Sequence, residues 1–162
     1  MDITKSRGPS LLVSNMLINL VKTTLISFIA IFMMFLSTQT LADEAIIIVH
    51  KSNPLSVIKK EDLSNIFLGK QVLWDSGGRI MAGMLSTDSP EVKAFLKSVC
   101  NKSVKRFNAH WMKFIFSGLG VKPQEFTNSR RAIFFISGNK NAIAIIDKSK
   151  LSGNVKRIKI VD

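Results

Sequence analysis

Short runs of continuous apolar residues alternate with stretches of helical spacing along the chain, and together they predict strands separated by helices. Ala45 to Val49 (AIIIV) is continuous and rich in β-branched residues, the pattern of a strand buried on both faces of a sheet. Ser52-Asn53-Pro54 breaks it, because Pro cannot join a ladder and Asn favours turns. From Lys60 to Leu68, the residues Leu63, Ile66 and Phe67 recur at i, i+3 and i+4. Glu61 and Asp62 fall in the first turn, where the helix dipole favours negative charge, and Gly69 is the stop. Asp75-Ser76-Gly77-Gly78 predicts a turn and Arg79 to Leu85 a strand. Asp88 or Ser89 then offers an N-cap, with Pro90 at N1 and Glu91 behind it, opening a helix to about Asn101.

A second helix is expected over Ser103 to Ser117, with Phe107, Trp111, Phe114 and Ile115 on one face and Gly118 and Gly120 ending it. Asn128 to Ser137 predicts another, stopped by Gly138. Ala142 to Ile146 and Val155 to Val161 are the closing strands. The last alternates Lys156, Arg157, Ile158, Lys159 and Ile160, as a half-exposed edge strand would. Strands separated by helices imply an α/β layer architecture, and no repeat or internal boundary divides it.

Residues Leu25 to Leu36 (LISFIAIFMMFL) form an uncharged apolar run. As a helix it spans about 18 Å, short of the roughly 30 Å hydrocarbon core. Lys22 precedes the run, and Thr40-Leu41-Ala42 supplies small residues at −3 and −1. This pattern predicts a secretory signal peptide over residues 1–42, cleaved after Ala42, followed by one domain over 43–162. Met16 is itself a suitable start. The other reading is an uncleaved signal anchor, because Leu17 to Val21 adds apolar residues; only in that case would the chain stay membrane-bound.

The 162 residues carry 23 Lys+Arg against 11 Asp+Glu, a net charge of +12 that invites a nucleic-acid or membrane-surface reading. Removing residues 1–42 takes away Lys5, Arg7, Lys22 and Asp2, so the exported domain keeps a net charge of +10. Its basic residues are spread, with Lys93 and Lys97 an i, i+4 pair, and no aromatic–basic interleaving marks an RNA-binding strand. Nucleic acid is therefore not the expected partner; small anions, an envelope protein or an anionic surface are.

The single Cys100 excludes a disulfide framework and multi-cysteine metal sites, and its spacing from Phe95, Leu96 and Val99 reads as a small buried hydrophobe. There is no GxSxG, P-loop, GxGxxG or HExxH, and no cofactor is expected. His50 and His110 are sixty residues apart and read as surface or packing histidines, so an enzyme is not expected. The anion-binding reading has a better basis. Ser86-Thr87-Asp88-Ser89 follows a strand and opens a helix, where free N–H groups and hydroxyls converge; an ordinary N-cap is the alternative. Ser86, Thr87 and Ser89 are the candidate ligands. Lys51, Ser52 and Asn53, at a neighbouring strand end, would complete the site, because ligands in α/β sheets gather at the carboxyl ends of strands.

One stretch carries a wider pattern: Asn53-Pro54, Leu63, Ile66-Phe67-Leu68-Gly69-Lys70, Trp74, Gly77 and Phe95, followed by Trp111 and Phe116-Ser117-Gly118. It resembles the short members of the phosphate ABC transporter substrate-binding-like family, among the type 2 periplasmic binding proteins. The resemblance implies a single-lobe, three-layer α/β fold with a mixed sheet flanked by helices. It also implies a periplasmic binding protein for phosphate or another small oxyanion. In the full-length phosphate binders an Arg–x–x–x–Ser–Gly–Thr segment supplies ligands. Aligned on Phe95, that segment falls here on Leu85, Ser89, Pro90 and Glu91. Only the serine is kept, and Glu91 would repel a dianion. The alternative is a protein–protein or envelope-surface module that has lost ligand binding.

Overall fold

The computed structural model describes residues 16, 19–22, 45–148 and 151–162. The expected signal segment, with its apolar run and its cleavage after Ala42, lies outside the described residues apart from Met16 and a helical stretch at 19–22. Residues 41–162 form a unit distinct from residues 1–40. Among the described residues, no helix is long and apolar enough to cross a membrane.

In chain order the domain runs β1 (Ile46–His50), β2 (Val57–Lys59), α1 (Lys60–Phe67), β3 (Met81–Leu85) and α2 (Pro90–Ser98). Then come α3 (Val104–Phe116), β4 (Gln124–Phe126), α4 (Ser129–Gly138), β5 (Ala142–Ile146) and β6 (Val155–Val161). The six strands form one mixed sheet in the order β2-β6-β1-β5-β3-β4. β3 pairs parallel with β4 and β5, and β2 parallel with β6. β1 pairs antiparallel with both of its neighbours, β5 and β6. It therefore runs against every other strand.

The apolar runs are continuous because helices cover both faces. On one face Ile47 and Val49 of β1 with Ile143 and Ile145 of β5 meet Leu63, Phe67, Phe95, Leu96, Phe107 and Trp111 from α1, α2 and α3. On the other, Ile46, Ile48, Ala142, Ala144 and Ile146 pack against Ala132, Ile133 and Ile136 of α4. Side chains alternate along a strand, so a strand between two helical layers must be apolar at every position. The result is the expected three-layer α/β architecture.

Three expectations change. β6 is not an edge strand: it lies between β1 and β2, with Val155 and Ile158 buried. β2 covers Lys159 to Val161 through pairs such as Ile58 with Ile160. The edges are instead β2 and β4, three-residue strands too short for their sequence to announce. The helix expected to reach Asn101 ends at Ser98, with Val99 as C-cap. Ile115, expected on the core face of α3, is 48% exposed, whereas Phe107 and Trp111 are buried.

The α1 terminus shows why the IFLGK segment is built as it is. Gly69 takes φ 72°. Its N–H donates to Ile66 O at 3.1 Å, and Lys70 N–H donates to Asn65 O at 2.8 Å, the paired bonds of a Schellman turn. Two carbonyls beside it are capped from α3: Trp111 Nε1 donates to Phe67 O at 3.2 Å, and His110 Nε2 bonds Leu68 O at 2.9 Å. A Cβ on Gly69 would stand 2.7 Å from Trp111 Cη2. The Trp111 indole can therefore lie on this turn only while residue 69 is glycine.

Candidate functional site

The turn from Ser86 to Ser89 leaves the carboxyl end of β3 and opens α2. Ser89 is the N-cap, with φ −68° and ψ 143°, and its Oγ accepts the N–H of Val92 at 3.4 Å. Pro90 follows at the first helical position, where its missing N–H costs nothing. Thr87 is buried and Glu91, in the first turn, is 7% exposed. Leu85, where the resemblance places an arginine, is buried in the apolar core.

Backbone donors decide what the turn can hold, because each one left unmatched by protein is open to a ligand. Ser86 N–H donates to Phe126 O at 3.1 Å, tying the turn to edge strand β4. Ser89 N–H donates to Ser86 O and Lys93 N–H to Ser89 O. Asp88 N–H reaches Ser86 Oγ at 3.3 Å, a long bond. Thr87 N–H donates to a carboxylate from outside the turn, Glu125 Oε2, at 3.4 Å. Among the described residues, Glu91 N–H alone from residue 86 to 92 has no protein acceptor, Pro90 having no N–H. The N–H groups expected to be free are thus mostly engaged, several by long and weak bonds.

Glu125 is itself held. Its Oε1 pairs with Lys122 Nζ at 2.5 Å, and Lys122 also donates to Asn108 Oδ1 at 2.9 Å while lying 5.7 Å from the centre of the Phe107 ring. A chain of contacts therefore leads from α3 through Lys122 and Glu125 to Thr87. Neither Lys122 nor Glu125 is marked by any sequence motif. The register Met84 to Glu125 across β3 and β4 brings them to the turn, and that pairing cannot be read from sequence.

Lys51, Ser52 and Asn53 are not part of this site. They follow β1, whose carboxyl end lies beside the amino ends of β5 and β6, through Val49 with Ile143 and His50 with Val155. Ser86 follows β3, whose carboxyl end lies beside that of β5. The two groups sit at opposite ends of strands five residues long, about 16 Å apart along the strand direction. Placing them together required β1 and β3 to be parallel. Asn53 is instead a buried turn residue whose Oδ1 accepts Leu55 N–H at 3.0 Å, while Lys51 and Ser52 are exposed.

Other reactive groups are accounted for locally. His50 Nδ1 accepts the Ser52 N–H at 3.1 Å and lies 2.7 Å from Ser52 Oγ, a contact within one turn. His110 stacks on Phe114 with ring centres 5.4 Å apart. Burial pushes the Cys100 thiol up from 9.0 to about 11, with a Ser64 hydrogen bond and the Lys102 charge pulling the other way. Among the described residues, no cluster of three or more His, Cys, Asp or Glu could hold a metal ion.

No protein-family model matches the chain, and no curated protein matches it. Solved structures do. A structure described as a phosphate ABC transporter substrate-binding protein with bound phosphate, from Clostridium perfringens, matches with TM-score 0.57 and 24% identity, covering 73% of this chain and 45% of that one. An ABC-type phosphate transport receptor from Vibrio cholerae matches with TM-score 0.55 and 16% identity, covering 74% and 48%. PstS from Borrelia burgdorferi matches with TM-score 0.54 and 14% identity, covering 73% and 47%. The chain spans about half the length of these proteins. Across that span, its mixed sheet and flanking helices have the α/β fold of the phosphate-transporter substrate-binding proteins.

Proposed function

We propose that the chain is an exported, non-enzymatic binding domain for phosphate or a similar small oxyanion, held at Ser86, Thr87, Ser89 and the first turn of α2. The observation that carries this reading is the shared fold with a protein that has phosphate bound. The turn supports it chemically. Glu91 N–H has no acceptor among the described residues, and the Asp88 and Val92 N–H groups are on bonds of 3.3 and 3.4 Å that an anion would improve on. Thr87 N–H is held by an exposed carboxylate on a partner strand. An incoming oxyanion displaces Glu125 and inherits the same donor. Lys122 then supplies the charge that Leu85 does not. Asp88 and Glu91 oppose a dianion, so the expected affinity is modest.

Calorimetric titration of the full chain with phosphate tests this reading: saturable heat with a matching rise in melting temperature is expected. No heat and no thermal shift at millimolar phosphate would overturn it. The near-complete internal use of the turn's donors favours a second reading, an interaction module on the cell envelope that no longer binds a ligand. On that reading, salt-sensitive retention on envelope fractions is lost on reversing the exposed pair Lys93 and Lys97, and Ser89→Ala has no effect on it.

A further inference from the structure

The free edge of the sheet carries an apolar groove, which shares Glu125 and Phe126 with the surroundings of the turn that opens α2. Strand β4 pairs only with β3, so its outer side is open among the described residues. Between β4 and α4 lies a groove of about 730 Å³, floored by Phe126 and Phe135 and walled by Phe134, Arg130 and Arg131. A second cavity of about 280 Å³ shares Gln124 and Phe135 with it and extends past Met81 and Val121 to Arg79. Phe134 is 82% exposed and Val121 75%. Large aromatic and aliphatic side chains held in water along one continuous track mark a surface that gains by being covered.

The charges around the track identify the cover. Glu125 also lines the groove, but its carboxylate is taken by Lys122, and among the described residues Arg79, Arg130 and Arg131 form no ion pair. Arg130 and Phe134 are four residues apart on α4, as are Arg131 and Phe135, which sets a guanidinium beside each ring on the helix surface. A guanidinium takes a carboxylate with two parallel bonds, and the apolar floor beside it accepts an aliphatic or aromatic side chain. We infer that this groove docks an extended segment of a partner protein in which Asp or Glu alternates with Phe, Leu or Ile.

Other occupants fit less well. A second copy related by two-fold symmetry would bring Arg130 and Arg131 against their own counterparts in a chain already at +12. The chain's own apolar run, Leu25 to Leu36, has no carboxylate for the arginines. The inference does not depend on the anion-binding reading.

The test is selection of a random twelve-residue phage-displayed peptide library on the full chain, followed by fluorescence anisotropy with the enriched peptides. Enrichment of peptides that interleave acidic with aromatic or aliphatic residues is expected. Their affinity should fall at least tenfold with the pair Arg130→Glu and Arg131→Glu, and similarly with Phe134→Ser. These side chains are exposed, so an unchanged circular dichroism spectrum is expected and controls for folding. Absence of enrichment, enrichment of basic peptides, or equal binding by the variants would each overturn the inference. So would phosphatidylglycerol-vesicle binding or dimerisation that the same variants abolish in the absence of peptide binding.

Discussion

Glu125 and Thr87 are 38 residues apart in the chain, yet the carboxylate of one accepts the backbone N–H of the other at 3.4 Å. The contact puts a negative charge from edge strand β4 against the turn that opens α2. A helix start with its hydroxyls would, by itself, attract an anion. In this domain the nearest anion belongs to the protein, and Lys122 holds it in place.

Replacing Glu125 with Gln should therefore tighten phosphate binding about tenfold, or ~1.4 kcal/mol. A neutral amide is a weaker competitor for the Thr87 N–H, and the change also removes a repelling charge and releases Lys122. Titration calorimetry on both forms measures it. Equal or weaker binding by the variant would show that Glu125 does not compete with ligand. Movement of the Thr87 amide resonance in the variant without ligand checks the contact by itself.

Ser89→Ala removes the acceptor for Val92 N–H at the start of α2. Urea unfolding should show a loss of about 1 kcal/mol, while Ser89→Gly costs only a few tenths. If Ser89 also binds the oxyanion, both variants weaken phosphate binding although only one loses stability. Equal stability of Ala and Gly variants would show that the cap contributes little.

Gly69→Ala meets two penalties together. Left-handed φ costs a non-glycine residue about 1 kcal/mol, and the new methyl would press on Trp111 at 2.7 Å. The indole must move, straining its bond to Phe67 O. A combined loss of roughly 2–4 kcal/mol is expected, read as a lower urea midpoint with an unchanged slope. Gly77→Ala is the control: its φ is also positive, but nothing lies within 4 Å of an added Cβ, so the smaller loss reports backbone strain alone.

Cys100 gives the pH prediction. Burial raises its thiol from 9.0 to about 11, so the folded state holds the neutral form more strongly than the unfolded chain does. The stability this contributes is complete below pH 9 and is lost as pH rises towards 11. Cys100→Ala should flatten that decline in an alkaline melting series. At pH 8 the native thiol should resist iodoacetamide and react readily once urea unfolds the chain. Rapid labelling of the native protein would contradict the burial.

Much of the fold is legible in local pattern. The AIAII strand and the final strand have their expected limits, and the helix starting at Ser89 shows the N-cap and Pro90 that its sequence announces. Caps, turn glycines and apolar spacing act over a few residues, so a local reading captures them. The three-residue strands β2 and β4 escape it, because their order comes from pairing with β6 and β3 rather than from propensity. The edge assignment of β6 failed for the same reason: alternation reports which faces are wet, not which neighbour sits alongside.

The candidate site divides along the same line. Sequence alone determined the Ser86–Ser89 turn, its helix and the buried cysteine, since each follows from neighbouring residues and their intrinsic chemistry; the absent arginine at Leu85 is implied by the family resemblance. Strand direction and register were decided by tertiary structure. The reversed β1 carries Lys51, Ser52 and Asn53 to the far end of the sheet. The pairing of β4 with β3 delivers Glu125 to Thr87 and leaves a groove beside Phe134. These are contacts between residues distant in the chain, settled by how two helical layers bury one sheet, and no local pattern encodes them.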